Sequence, residues 1–126
     1  MSAWTSDELE TIGSAEELEL ASLRPDRTQR RPVTVWVVRL GDDLYVRSVY
    51  GRGSNWFRGV QDRHEGHVGA GDVEKDVRFV ELDDDDLIDL IGEAYRTKYA
   101  DQPAAYVDPL LTPEARPATL RLEPRS

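Results

Sequence analysis

The strand-to-helix junction at residues 47–56 carries the side chains with the clearest chemical potential in this sequence. Its two glycines let the backbone turn sharply and approach a ligand closely. Ser54 can cap the helix that follows, and the free N–H groups at a helix start favour an anion. Arg47 and Arg52 add charged donors that can bind phosphate oxygens in pairs. The junction therefore predicts a site for a small anion such as a cofactor phosphate. A plain capped turn with solvated arginines is the alternative interpretation.

The charge of the chain reverses its sign around this junction. Between Arg24 and Arg63 the sequence has nine arginines and four aspartates, whereas the whole chain has a formal net charge of −9. Arg27, Arg30 and Arg31 precede the longest apolar strand and either add to the same positive field or face water. A local positive region in an acidic protein suits a small anion. It suits nucleic acid poorly as a partner, because the other surfaces would repel it.

Length and composition indicate one folded domain over residues 1–126. A chain of 126 residues and 14.3 kDa is expected to build a single core. The lack of cysteine excludes disulfides, thiolate metal sites and a cysteine nucleophile. No apolar run reaches the roughly 20 residues that span a bilayer, and no signal-peptide pattern precedes the first helix. We therefore expect a cytoplasmic protein that does not bind a membrane.

The remaining polar motifs do not predict a metal site or a catalytic triad. His64 and His67 lack the spacing of a zinc-binding helix, and the glycine between them favours a loop. The run Asp83–Asp86 lacks the spaced ligands of a calcium loop and is typical of a helix start. No Ser/His/Asp set can be placed from the sequence. We therefore predict no bound metal, and we assign no catalytic residue.

A short helix with a complete start signal is predicted at the amino terminus. Thr5 is expected to cap the helix and Glu8 to close a capping box. Trp4 and Leu9 have the spacing of a hydrophobic staple, and Gly13 is predicted to end the helix.

Six segments are predicted as strands, from their alternation or from their β-branched and aromatic residues. They are Glu17–Leu20, Val33–Leu40, Leu44–Tyr50, His67–Ala70, Val73–Leu82 and Ala118–Glu123. Turn residues at Gly41–Asp43 and Gly71–Asp72 join four of them into two hairpins.

Two further helices are predicted between these strands. Ser54 starts a short helix that carries Trp56, and Asp83–Asp86 opens a longer helix that extends to about Tyr99. Tyr95, Tyr99 and Tyr106 are interpreted mostly as core residues, with the alternative that one of them faces a ligand. The order α-β-β-β-α-β-β-α-β predicts an α+β, mainly β fold in which an antiparallel barrel is closed by helices. Alternating units of a parallel sheet do not fit this order.

Several segments together resemble the deazaflavin-dependent nitroreductases, which belong to the flavin-binding split-barrel superfamily. The segments are Arg30-Arg31, Val33–Leu40 with Trp36, Gly41–Ser48, the glycine junction with Trp56-Phe57, and Ala94-Tyr95. Over nearly the whole chain the sequence also resembles an uncharacterised bacterial family, number 2255 among the domains of unknown function. That second resemblance runs from Trp4 through Lys98-Tyr99, Tyr106–Pro109 and Thr119–Leu122.

The resemblance implies a six-stranded antiparallel split β-barrel, flanked by helices, that binds FMN or a deazaflavin cofactor. Thr34 and Trp36 would then lie near the cofactor ring, and residues of the glycine junction would bind its phosphate. The sequence does not decide between the two cofactors. The implied cofactor-binding residues are Arg30, Arg31, Thr34, Trp36, Arg47, Ser48, Arg52, Gly53, Ser54, Asn55 and Trp56.

The function implied by this resemblance is that of an oxidoreductase. It would transfer a hydride to or from a small planar acceptor such as a quinone, a nitroaromatic or an enone. A cofactor-free binding or interaction module on the same barrel is the alternative, since a shared fold does not imply a shared activity.

A homodimer is also expected, because the superfamily commonly pairs two barrels. The sequence has more large aromatic residues than one barrel interior readily accommodates, so some are expected on an outer face, at an interface or a ligand groove. The alternative is that the helices cover them all. They are Trp36, Tyr45, Tyr50, Trp56 and Phe57.

Overall fold

The computed structural model describes residues 3–125 of the chain, which form eleven regular elements within that range. Three short 3₁₀ turns supplement them, at Gly51–Gly53, Asp108–Leu111 and Arg116–Ala118. In chain order the helices and strands are α1 (Ser6–Ser14), β1 (Leu18–Ser22), β2 (Val33–Val35), β3 (Val37–Leu40), β4 (Asp43–Arg47), α2 (Asn55–Arg63), β5 (Glu65–Ala70), β6 (Val73–Glu81), α3 (Asp85–Lys98), α4 (Ala104–Val107) and β7 (Thr119–Pro124).

The strands form one antiparallel sheet in the order β2-β1-β5-β6-β7-β4-β3. Its two edge strands, β2 and β3, are consecutive in the chain and are separated only by Trp36. This continuity joins the two edges and curls the sheet into a nearly closed barrel. The predicted α+β split barrel is confirmed, with seven strands in place of six.

The extra strand arises because the predicted strand Val33–Leu40 breaks at Trp36. Its first half pairs with β1, where Val35 lies opposite Leu18, and its second half pairs with β4. Val33, Val35 and Val37 all contact the barrel core. The alternation of inward and outward side chains therefore continues through Trp36, although the paired strand changes from β1 to β4. For this reason the alternation of apolar residues in the sequence does not reveal the break.

The strand predicted at Leu44–Tyr50 is too long, because β4 ends at Arg47. Beyond it the Gly51 N–H donates to the Ser48 carbonyl, and the chain turns back toward α2. Gly51 has a φ of +74°, and a Cβ atom there would lie 2.8 Å from the Glu114 carbonyl oxygen. This position requires glycine both for its backbone conformation and for its close packing.

The helix starts agree with the prediction, and one helix end does not. Thr5 and Glu8 form the complete capping box of α1, Ser54 accepts from the Phe57 N–H at α2, and Asp84 caps α3. The prediction that Gly13 ends α1 is wrong, because the helix continues to Ser14. A Cβ atom on Gly13 would lie 3.1 Å from the Arg39 Cβ, so packing accounts for this glycine.

Two apolar clusters lie on opposite sides of the sheet. The first fills the barrel interior and includes Phe57 and Phe79. The second lies between α3 and the outer face of β3 and β4, and it includes Tyr95 and Tyr99. Full burial of one large apolar side chain stabilises a fold by about 1.5–3 kcal/mol. The second cluster packs α3 against the break between β2 and β3 at Trp36, and the candidate functional site lies at this break.

Candidate functional site

An aromatic cleft opens at the break between β2 and β3. Its volume is about 370 Å³. Four of its nine lining residues are aromatic, and they come from separate parts of the chain. The lining residues are Thr34, Val35, Trp36, Arg47, Val49, Tyr50, Trp56, Tyr106 and Leu110. The volume lies at the lower end of the roughly 300–1,000 Å³ typical of small-molecule sites.

Trp36 forms the wall of this 370 Å³ cleft at the strand break, and α3 holds it in place. Its ring stacks on Tyr99 with the centroids 3.9 Å apart and the planes 5° from parallel. Its carbonyl oxygen accepts a hydrogen bond of 2.9 Å from the Tyr95 hydroxyl. Burial raises the pKa of Tyr99 to about 12 and also raises the pKa of Tyr95, so both phenols stay protonated as donors. The tryptophan is therefore fixed before any ligand arrives.

The other three aromatic side chains differ in their exposure. Trp56, in the first turn of α2, is half-buried and packs edge-to-face on Phe57 with the centroids 5.9 Å apart. Tyr50 is 81% exposed and Tyr106 is 63% exposed, and both line the mouth of the cleft. Of the three tyrosines predicted to be mostly core residues, Tyr95 and Tyr99 are buried, whereas α4 presents Tyr106 to solvent at the cleft. Large aromatic surfaces left open around a cavity are typical of a ligand site.

Arg47 lies beneath the cleft and is only 2% exposed. Its Nε donates to Thr119 Oγ1 at 2.8 Å, its Nη1 to the Leu110 carbonyl at 2.8 Å, and its Nη2 to the Ile88 carbonyl at 2.9 Å. Burial lowers the pKa of this guanidinium, and the three oxygen acceptors compensate for its lost hydration. In this arrangement Arg47 ties β4 to β7, to α3 and to the turn that carries Leu110. Its predicted role as a cofactor ligand stays a prediction.

The polar side chains of the glycine junction bond mainly to the protein itself. Arg52 forms an ion pair of 2.7 Å with Glu81 and donates to the Pro117 carbonyl at 3.1 Å. The Ser48 hydroxyl donates to Ser54 Oγ at 2.8 Å. Gly53 and Asn55 are exposed beside them. None of these five predicted residues is part of the cleft lining.

The arginines that precede β2 do not line the cleft either. Arg30 forms an ion pair of 2.6 Å with Asp62 of α2. Arg31 is exposed. The structure thus brings together four of the eleven predicted binding residues at the cleft, namely Thr34, Trp36, Arg47 and Trp56.

A second cavity adjoins the cleft and was not predicted from the sequence. The two share Val49 and Tyr50, and the second cavity, here called the acidic groove, has a volume of about 700 Å³. Its remaining lining residues are Ala105, Asp108, Pro109, Thr112, Pro113 and Glu114. They belong to the proline-containing connection before β7, where no hydrophobic periodicity exists to reveal what the chain contacts.

The two histidines lie outside both cavities and bond to carboxylates of β6. His64 Nε2 lies 2.6 Å from Glu81 Oε2, while His67 lies 3.0 Å from both Asp76 and Glu74. The hydrogen bond to Asp76, aided by Glu74, raises the pKa of His67. Within residues 3–125 no group of three or more His, Asp or Glu side chains has the arrangement of a metal site.

The sequence matches one protein family over residues 8–122. That family is described as uncharacterized protein conserved in bacteria (DUF2255). The chain belongs to this family. The family prediction is therefore confirmed, and no curated protein gives a significant match.

Solved structures share the fold at low sequence identity. A conserved hypothetical protein of Mycobacterium tuberculosis aligns with a TM-score of 0.72 and 11% identity, over 98% of this chain and 82% of its own. The heme storage protein HutZ of Vibrio cholerae aligns with a TM-score of 0.66 and 9% identity, over 99% and 92%. An F420 reductase aligns with a TM-score of 0.60 and 17% identity, over 94% and 93%. These similarities establish the split-barrel fold.

No helix in residues 3–125 combines the length and the apolar character that crossing a membrane requires.

Proposed function

We propose that the aromatic cleft binds the planar ring of FMN or a deazaflavin cofactor, and that the protein is an oxidoreductase. The observation that carries the proposal is the set of four aromatic side chains around the 370 Å³ cleft. Trp36, Tyr50, Trp56 and Tyr106 come from four different parts of the fold. Flat aromatic surfaces at a cleft of this size suit a flat heteroaromatic ring, because stacking gives favourable contact over the whole ring face.

The residues of the cleft would bind and orient the ring and exclude water from it. Trp36 supplies a face already fixed by Tyr99, and the exposed Tyr50 and Tyr106 can cover the outer side. Thr34 donates its hydroxyl to Glu19 at 2.7 Å, so its side chain is oriented by β1. The bound cofactor would supply the hydride chemistry, to or from a small planar substrate such as a quinone, a nitroaromatic or an enone.

The similarity to an F420 reductase supports this proposal only through the fold. The heme storage protein has the same fold, and one fold can serve several functions. The aromatic lining of the cleft is therefore the stronger argument, since it belongs to this chain.

Mixing experiments test the proposal directly. Purified protein is titrated into FMN and into a deazaflavin cofactor, and the fluorescence of each cofactor is followed. We expect quenching that saturates with one of them, and hydride transfer to a quinone or nitroaromatic once the cofactor is reduced. Absence of saturable quenching with both cofactors would contradict the proposal.

A cofactor-free binding module is the second candidate, and one observation favours it. Arg30, Arg47 and Arg52 all have protein partners, so the predicted phosphate donors are already engaged. On this alternative the cleft would bind a planar ligand without redox chemistry. Saturable binding of a flat aromatic compound, together with no response to either cofactor, would support it.

We also propose that the protein is a homodimer. Tyr50 and Tyr106 expose large apolar surfaces at one side of the molecule, and such surfaces are commonly covered by a partner. Light scattering behind a sizing column is expected to give twice the 14.3 kDa of one chain. A mass equal to one chain, with a cofactor present, would contradict the dimer and leave both tyrosines to the ligand.

A further inference from the structure

The acidic groove lies next to the aromatic cleft, so it is available to a side chain attached to a planar ring in the cleft. We propose that the groove favours a neutral or cationic side chain on the planar-ring ligand, and that a phosphate on that side chain adds no affinity. This inference rests on the proposed function, because it takes the cleft as the ring site. It concerns the side chain that extends from the ring of that ligand.

The two cavities have two lining residues in common, Val49 and Tyr50. At about 370 Å³ the cleft is close to the lower limit for a small-molecule site, so it accommodates a ring better than a whole cofactor. The groove of about 700 Å³ lies beside these two shared residues, within reach of a chain attached to the ring. A side chain attached to a ring in the cleft can therefore extend into the groove.

The groove carries negative charge on this route. Asp108 and Glu114 line it and are exposed, and no lysine or arginine is among its lining residues. Arg116, which lies close by in the chain, forms an ion pair of 2.5 Å with Asp89. The formal net charge of −9 for the whole chain adds to the repulsion of a phosphate.

Three of the four arginines expected to offset this charge bond to other protein groups, and the fourth, Arg31, lines neither cavity. Arg47 is the one cation among the described residues that line the cleft and the groove, and its guanidinium already donates to three protein oxygens. Arg52 is paired with Glu81, and Arg30 with Asp62. To bind a phosphate, each would have to exchange an existing bond for the new one, so the net gain would be small.

Riboflavin and FMN provide a matched pair of probes, since they differ only by the phosphate. Each is titrated with the protein by fluorescence quenching, at about 0.01 M and about 1 M salt, where the Debye lengths are about 30 Å and 3 Å. We expect riboflavin to bind at least as tightly as FMN. Added salt is expected to strengthen FMN binding and to leave riboflavin binding nearly unchanged, because screening weakens the repulsion from the two carboxylates.

Variants that neutralise the two groove carboxylates test whether they cause the difference in affinity between riboflavin and FMN. Asp108→Asn combined with Glu114→Gln is expected to tighten FMN binding about two- to fivefold, with riboflavin unchanged. Asp72→Asn, in the exposed turn between β5 and β6, is the matched control and is expected to change neither.

The possible contrary outcomes are distinct. FMN binding tenfold or more tighter than riboflavin, and weakening as salt rises, would overturn the inference and indicate a cationic phosphate site. The proposed function would stand in that case. Binding of neither flavin would overturn this inference, and if the deazaflavin cofactor also fails to bind, the proposed function is overturned as well.

Discussion

The polar side chains of the glycine junction and the exposed rings of the aromatic cleft differ in their partners, although the two regions share Arg47, Tyr50 and Trp56. At the junction, Arg47 and Arg52 donate to protein oxygens, and Ser48 bonds to Ser54. In the cleft, Tyr50 and Tyr106 leave most of their surface to solvent. A group with an internal partner must give up that contact before it binds a ligand, whereas an exposed ring gives up only water. We infer that the polar groups of the junction stabilise the fold around the site and that the aromatic rings bind the ligand.

Replacement of Arg47 should have the largest effect on stability. Arg47→Met leaves three buried oxygens without their charged donor, and we expect the free energy of unfolding to fall by about 3 kcal/mol. Arg52→Met is the control, since its ion pair is half exposed and should be worth less than about 1 kcal/mol. Urea denaturation of both variants measures the difference. An unchanged stability for Arg47→Met, with loss of ligand binding, would make Arg47 a ligand-binding residue.

The two glycines of the junction should respond differently to alanine. Gly51→Ala places a Cβ 2.8 Å from the Glu114 carbonyl at a φ of +74°, and should cost about 1–3 kcal/mol. A Cβ on Gly53 meets no atom within 4 Å, so Gly53→Ala should change stability by less than about 0.5 kcal/mol. Thermal melting of the pair measures this. An equal loss of stability in both variants would contradict the close packing of Gly51 against the Glu114 carbonyl.

Lys98, a polar group bonded to the protein like those of the junction, should have a smaller effect on stability that depends on pH. Its ammonium donates to the Ala15 and Val37 carbonyls at 2.6 Å, and burial lowers its pKa from 10.5 to about 8. Between pH 8 and 10 the folded state loses this proton before the unfolded state does, so stability should rise with pH. At higher pH the raised pKa of Tyr99 opposes the rise. Denaturation across this range should show the rise in the natural chain and none in Lys98→Met.

Features set by neighbouring residues could be predicted from the sequence. The caps at Thr5, Ser54 and Asp84 each use a bond to a residue two or three positions away. Thr5 and Ser54 were predicted as caps, and the start of α3 was predicted within Asp83–Asp86. The break at Trp36 could not be predicted, because it depends on which strand each half of the segment pairs with.

The candidate site was predictable only in part for the same reason. The hydrogen-bond partners of Arg47 lie 41 to 72 positions away in the chain, so the local sequence of the junction could not predict that Arg47 is buried. The acidic groove is built by an irregular connection, which has no pattern to read. Trp36 and Trp56 were predicted as binding residues from the resemblance, and the structure brings both to the cleft.

Ring binding by the exposed aromatic side chains is the central claim, and a double variant tests it most directly. Tyr50→Ala combined with Tyr106→Ala removes two stacking surfaces that are largely exposed, so the fold should be unaffected. Leu90→Ala, which is 57% exposed and outside the cleft lining, is the matched control. In flavin and deazaflavin quenching titrations we expect the double variant to bind about tenfold more weakly and the control to bind normally. Unchanged affinity in the double variant, at unchanged stability, would contradict the account.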